Sequence, residues 1–270
     1  MSSSKSDRVQ ISIENGIAMV TLNRPEKYNG LDMPMFHGIT DAAKTLKKDR
    51  SVRAIILSGT GEAFCSGLDI KTVSRNPANF LRLLFKPGRK ISNLAQDVGY
   101  LWRDLPAPVI AVTHGYCFGG GLQIALGADF RFSTPDCEFS IMESKWGLIP
   151  DMSLAVTLRE LMPIDLAKEL TMTARRFSGT EARAMGLVSR ICDDPMAEAL
   201  DFARELAERS PDAVAASKLL FNRTWSATDR DALAWETRLQ KKLLARTNQR
   251  IAVARNSGEP DKPFVDRRNL

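Results

Sequence analysis

Two carboxylates stand eight positions apart in the stretch FSIMESKWGLIPDMS, at Glu143 and Asp151. The Lys-Trp-Gly-Leu-Ile-Pro run between them contains a glycine and a proline and cannot be one regular helix. Two acids brought together by an irregular loop suit proton transfer, because a carboxyl in an apolar, partly dry pocket holds its proton more tightly than in water. Asp151 also precedes MSLAVTLREL, where it could serve as a helix cap. A second feature is the glycine triplet Gly119, Gly120 and Gly121, placed where a buried strand passes into a helix. Its backbone must take conformations, or tolerate approaches, that a Cβ would forbid. Free N–H groups at a helix start attract negative charge, so the turn can cradle an oxyanion. It can equally be a plain tight crossing. A third feature, Ser66-Gly67-Leu68-Asp69 within GEAFCSGLDIKTV, again leads from a buried strand toward a helical pattern. Ligands of parallel sheets settle beyond the carboxyl ends of strands, so backbone donors from the two turns can converge on one atom.

Several chemistries find no support. There is no GxxxxGK[ST] loop and no GxGxxG followed by an acid, the two common nucleotide-phosphate signatures. Ser66 lies outside a GxSxG context, and neither His37, on a surface helical pattern, nor His114, at a strand end, has a plausible triad. Cys65, Cys117, Cys137 and Cys192 lack CxxC spacing and read as small packing residues.

The elements that must position these groups follow from periodicity. VQISIENGIAMVTLNRP alternates on both sides of Asn15-Gly16, the dipeptide of a tight hairpin turn. MPMFHGITDAAKTLKKD carries apolar residues at helical spacing, and VRAIILSG is a continuous apolar run, as in a strand buried on both faces. Residues 73–105 form a long excursion with two helical patterns, NFLRLLF and ISNLAQDVGYLWRDL, broken at Lys86-Pro87-Gly88. APVIAVTHG is another buried strand, running into the glycine triplet. FRFST and EFSIM read as short strands, and SLAVTLRELM as a helix. Beyond Pro163 the chain is almost wholly helical, and it ends in a polar tail, NSGEPDKPFVDRRNL, expected to be loosely held. Alternating strands and helices followed by helices make an α/β fold with a helical C-terminal layer.

The chain has 270 residues, 44% hydrophobic and 26% charged, with a net charge of +6. That length suits one main core, residues 1–195, with a helical appendage, 196–270. No apolar run approaches the roughly 20 residues of a membrane span. The short polar start MSSSKSDRVQ resembles neither a signal nor a transit peptide, so a cytoplasmic location is expected, with neither membrane nor nucleic acid as partner. The modest positive excess is interleaved with acids, as on a solvated surface.

LNRPEKYNGLD, AFCSGLDIK, PVIAVTHGYCFGGGLQIALGADFRFST, FSIMESKWGLIPD and TARRFSGTEARAMGLVSRI together resemble the crotonase, or enoyl-CoA hydratase/isomerase, superfamily, over roughly residues 10 to 195. The resemblance implies a spiral of ββα units with a helical C-terminal trimerisation region, assembling as a trimer or a dimer of trimers. It implies an acyl-CoA substrate, with coenzyme A part of that substrate and no separate cofactor or metal. It also implies that the backbone N–H groups of Leu68 and Gly120 form an oxyanion hole for the thioester. Hydratases of the family pair the acid at the position of Glu143 with a second glutamate, where this chain has Gln123. Dienoyl-CoA isomerases carry an aspartate at the position of Asp151, although they also carry an aspartate where Gln123 stands. The implied activity is therefore a shift of 3,5-dienoyl-CoA to 2,4-dienoyl-CoA in fatty-acid oxidation, with Glu143 and Asp151 transferring the proton and Gln123 orienting a carboxyl. The alternatives are a hydratase or other crotonase working through Glu143 alone, or a non-catalytic acyl-CoA- or RNA-binding relative. Arg24, Lys27 and Lys71 are candidates for contacts to coenzyme A. Phe80, Leu84 and Trp102 are candidate walls for the acyl chain.

Overall fold

The computed structural model describes residues 8–86 and 88–269. The polar start before Arg8, and Pro87 within the expected break, lie outside the described residues. β1 (Val9–Glu14) and β2 (Ile17–Leu22) form the antiparallel hairpin, and both turn residues are left-handed, Asn15 at φ 50° and Gly16 at φ 77°. That is the conformation which makes Asn-Gly a hairpin signal. α1 (Met33–Lys48) starts where the Asp32 carboxylate accepts from Met35 N–H at 2.9 Å, and it returns the chain to β3 (Ala54–Gly59), parallel to β2. The excursion that follows holds α2 (Ile70–Val73), α3 (Ala78–Leu84) and α4 (Leu94–Arg103) before β4 (Val109–Thr113). Next come β5 (Tyr116–Phe118), α5 (Gly120–Leu126), β6 (Phe130–Ser133), β7 (Glu138–Ser140), α6 (Leu154–Leu158), α7 (Ile164–Thr173), β8 (Phe177–Ser178), α8 (Gly179–Ala184) and β9 (Arg190–Ile191).

The strands form a six-stranded sheet in the order β1-β2-β3-β4-β6-β9, parallel except for the hairpin, and a small sheet in the order β5-β7-β8. Each central strand is buried on both faces, which explains its unbroken apolar run. Val20, Ile55, Leu57, Val109 and Ala111 join the main core beneath α1, α4 and α5. Their neighbours Ala54, Ile56, Ile110, Val112 and Phe132 face the other way, against Ala199 and Ala203 of α9 (Pro195–Ala207). The expected division after residue 195 falls at the first residue of this covering helix.

α10 (Pro211–Thr224), α11 (Asp229–Leu243) and α12 (Thr247–Asn256) complete the helical layer. Lys218 of α10 fastens it to the core, donating to Asp129 at 2.7 Å and to the carbonyls of Trp102 and Ala107 at 3.1 and 3.0 Å. The expectation of a loosely held tail is corrected for its last part, residues 264–268. Arg267 is only 4% exposed and donates to the Asp49 carbonyl, Val265 N–H bonds Asn248, and Arg268 N–H bonds Asp212. Residues 256–263 are exposed, so the tail's polarity there reflects solvation, while Val265, Arg267 and Arg268 have specific partners inside the fold.

Two glycines allow a close approach that sets the site. A Cβ on Gly99 of α4 would stand 2.6 Å from Ser153 Oγ and 2.7 Å from the Met152 carbonyl, and one on Gly127 would stand 2.0 Å from the Gly99 carbonyl. α4, the end of α5 and the turn at 152–153 therefore touch backbone to backbone. Among the described residues no helix is long and apolar enough to cross a membrane.

Candidate active site

A cavity of about 730 Å³ opens beyond the carboxyl ends of β3 and β4, where the parallel sheet places its ligands. Gly67, Leu68, Gly119 and Gly120 line it together with Glu143 and Asp151. The two turns are in contact: a Cβ on Gly67 would lie 2.8 Å from the Phe118 carbonyl and 3.4 Å from Gly120 N. Both positive-φ glycines are required, Gly67 at φ 89° and Gly119 at φ 49°. Leu31 and Leu68 form an isolated parallel bridge in which Leu31 N–H bonds the Gly67 carbonyl at 2.8 Å and Asp69 N–H bonds the Leu31 carbonyl at 3.1 Å. In that register the Leu68 N–H points to the opposite side of the backbone. Gly120 is the first residue of α5, so its N–H has no partner within the helix. Leu68 and Gly120 both line the cavity, each on one of the two touching turns.

Glu143 opens a short 3₁₀ turn, Glu143–Trp146, that follows β7 and ends on left-handed Gly147 at φ 70°. Its Oε1 accepts from Gln123 Nε2 at 2.6 Å, while its Oε2 is buried without a partner. The Gln123 amide is fixed in turn because its own oxygen accepts from Met152 N–H at 2.8 Å. Burial pushes the Glu143 carboxyl above its ordinary range, the negative charge of Asp151 adds to that rise, and the Gln123 hydrogen bond opposes it. Asp151 keeps contact with solvent, yet desolvation by the cavity walls raises its carboxyl as well. The capping role open to Asp151 is not taken: the residue before α6 is Ser153, at φ 76°, and no side chain caps that helix.

Lys27 and Lys71 lie at the cavity wall, as do Phe80 and Leu84. Two expected contacts are corrected. Arg24 is 6% exposed and turned inward, paired with Asp69 at 2.9 Å and Asp32 at 3.5 Å and donating to the Gly30 carbonyl at 2.8 Å, so it braces the loops instead of facing a ligand. Trp102 is 0% exposed and belongs to the main core on the inner side of α4, away from the cavity lining. Phe36, Ala95, Trp146, Leu148, Ile149 and Met152 are wall residues that sequence reasoning missed. Four of them lie in or beside the Lys-Trp-Gly-Leu-Ile-Pro loop, whose apolar character with no helical period was the available signal. Asp69 also reaches the cavity. Burial tends to raise its carboxyl, but hydrogen bonds from Thr72 and Arg24 outweigh this and hold it below the ordinary range.

A cavity lined by two glycine turns and by two carboxyls that burial raises can host proton transfer on a ligand. Comparison with known proteins identifies the family. The sequence profile described as enoyl-CoA hydratase/isomerase matches residues 12–264. Carnitinyl-CoA dehydratases of Salmonella paratyphi A and Salmonella agona are each 34% identical over 224 residues, covering 81% of this chain and 82% of theirs. Among solved structures, an enoyl-CoA hydratase of Mycobacterium smegmatis superposes with a TM-score of 0.83 at 27% identity, covering 95% of this chain and 98% of that one. An enoyl-CoA hydratase of Polaromonas sp. JS666 gives a TM-score of 0.83 at 26% identity, covering 95% and 99% of the two chains. A profile match across nearly the whole chain, a relative sharing a third of its residues and the superposed fold agree: this chain belongs to the enoyl-CoA hydratase/isomerase family of the crotonase superfamily.

Proposed function

We propose that the protein is an isomerase that shifts conjugated double bonds of an acyl-CoA, converting a 3,5-dienoyl thioester to the 2,4-dienoyl isomer. The observation that carries this reading is the presence of two carboxyls, Glu143 and Asp151, on one cavity with an amide, Gln123, holding the first. The thioester oxygen accepts from Leu68 and Gly120 N–H, which stabilise the enolate as charge develops; loss of one such donor costs about 3–4 kcal/mol of barrier. One carboxylate removes a proton from C2, the electrons delocalise over the conjugated chain to the carbonyl oxygen, and the other carboxyl delivers a proton at C6. Glu143 works near C2 and Asp151 near C6. One acid must be ionised while the other is protonated. Two carboxyls both raised by burial, with the charge of Asp151 further raising Glu143, favour that sharing of one proton. Lys27 and Lys71 at the mouth would meet the phosphates of coenzyme A, and Phe80 and Leu84 the acyl chain.

A second reading, hydration or dehydration through Glu143 alone, is favoured by the likeness to carnitinyl-CoA dehydratases. Supplying 3,5-dienoyl-CoA and 2-enoyl-CoA separately and following diene and enoyl absorbance separates the two. The isomerase reading expects turnover of the dienoyl substrate that is lost in both Glu143→Gln and Asp151→Asn. Unchanged turnover in Asp151→Asn would leave only Glu143 chemistry. Assembly as a trimer or hexamer belongs to the same proposal. It is supported by Phe221, Trp225 and Leu233 of the helical layer, 56%, 65% and 62% exposed in the single chain, and sedimentation tests it.

A further inference from the structure

The rim of the cavity carries a surface that the reaction does not use. Between Asp69 and Asp97 the sequence holds Lys71, Arg75, Arg82, Lys86, Arg89 and Lys90 and no acidic residue. All six are exposed, and among the described residues none of them makes an ion pair. Interspersed with them, Leu81, Phe85 and Ile91 are 73%, 66% and 69% exposed. The helical layer also exposes large apolar residues; there Asp229, Asp231 and Glu236 stand among Arg230 and Arg238, and the basic run that follows, Arg238 to Arg255, is partly compensated by the pairing of Arg255 with Glu208. At the rim none of the six cations has an acidic partner among the described residues.

We infer that the rim formed by residues 75–86 and 88–91 docks on an anionic lipid surface. Single leucine, phenylalanine and isoleucine tips set among lysines and arginines match the boundary of a bilayer, where apolar tips enter the acyl region and cations meet lipid phosphates. A protein partner of ordinary composition would meet instead an uncompensated run of like charge. The inner side of the same helix α3 contributes Phe80 and Leu84 to the cavity, so a docked molecule would present its opening at the lipid interface. The inference concerns attachment at the surface, not a membrane span. It stands independently of which reaction the cavity performs.

Flotation of the whole protein with vesicles tests it, comparing phosphatidylcholine alone with phosphatidylcholine containing phosphatidylglycerol. Two variants are used, neither touching a residue of the cavity lining: Leu81→Ser with Phe85→Ser and Ile91→Ser, and Arg82→Ala with Lys86→Ala, Arg89→Ala and Lys90→Ala. The parent protein is expected to float only with the anionic vesicles, and less as salt shortens the Debye length from about 10 Å to about 3 Å. Removing four cations is expected to lower partitioning by at least about a hundredfold, and removing the apolar tips by about tenfold or more. Circular dichroism checks that each variant is folded. Absence of flotation, equal flotation with neutral vesicles, or flotation of both folded variants like the parent overturns the proposal. So does binding to polyglutamate without binding to vesicles, which would indicate an acidic protein partner. A changed sedimentation coefficient of the apolar variant would mark the rim as a contact between copies and likewise overturn it.

Discussion

Replacing Gln123 by methionine, similar in size but without donors or acceptors, removes two hydrogen bonds at once: 2.6 Å to Glu143 Oε1 and 2.8 Å from Met152 N–H. Gln123 is only 1% exposed, so water cannot readily replace it. At pH 8 the lost bond to an ionised carboxylate is worth about 1.5–3 kcal/mol and the orphaned Met152 N–H about 1–3 kcal/mol, giving a destabilisation of about 2.5–6 kcal/mol. The pH dependence follows from the direction of the Glu143 shift. Its folded-state value lies above the unfolded value, near the reference of 4.5, so the folded state pays no penalty for this group below that reference and the full penalty above its folded value. Gln123 offsets part of that penalty only while the carboxyl is ionised. Near pH 4.5 the cost of Gln123→Met should therefore shrink by about 1–2 kcal/mol, because a neutral carboxyl makes a weaker hydrogen bond. Urea unfolding of both proteins at the two pH values, with equal slopes, measures this. The same destabilisation at both would show that Gln123 does not act through the charge of Glu143, and the account of the site would fail.

Glu143→Gln should lower turnover by at least about a hundredfold, the usual scale of general acid–base catalysis, as read from steady-state rates with an intact fold. Asp151→Asn removes the charge that helps raise Glu143, so the Glu143 carboxyl should titrate at lower pH; carbon NMR of labelled glutamate reads the shift, and an unmoved titration contradicts the pairing. Gly121→Ala would place a Cβ 2.3 Å from the Cys65 carbonyl, and because backbone must move, a loss of about 3 kcal/mol or more is expected in thermal unfolding. Arg267→Ala removes a buried tie to the Asp49 carbonyl and should cost about 2–3 kcal/mol in urea unfolding, whereas a loosely held tail would show no loss.

Local signals made much of this legible. Asn15-Gly16 announced the hairpin because both positions need positive φ, and the double-faced burial of β3 and β4 showed as unbroken apolar runs. Glu143 and Asp151 drew notice because a glycine and a proline between them forbade a helix, and both line one cavity. What escaped depends on distant partners. β5 is three residues long and joins a second sheet through β7, so its residues read as a continuation of the glycine turn. Arg24 looked like a ligand contact because nothing nearby in sequence reveals Asp69, 45 positions on, as its partner. Trp102 and the missed wall residue Ala95 share α4, and only the packing of that helix decides which of them faces the cavity.

The bare backbone of Gly99 seats α4 directly on the turn that precedes α6. One end of α4 continues from the charged rim, and its middle presses on Met152 and Ser153, immediately beside Asp151. No side chain of α4 stands between the two backbones at that junction. The excursion that carries the rim is thus joined, through one bare backbone contact, to the residues next to one of the two acids.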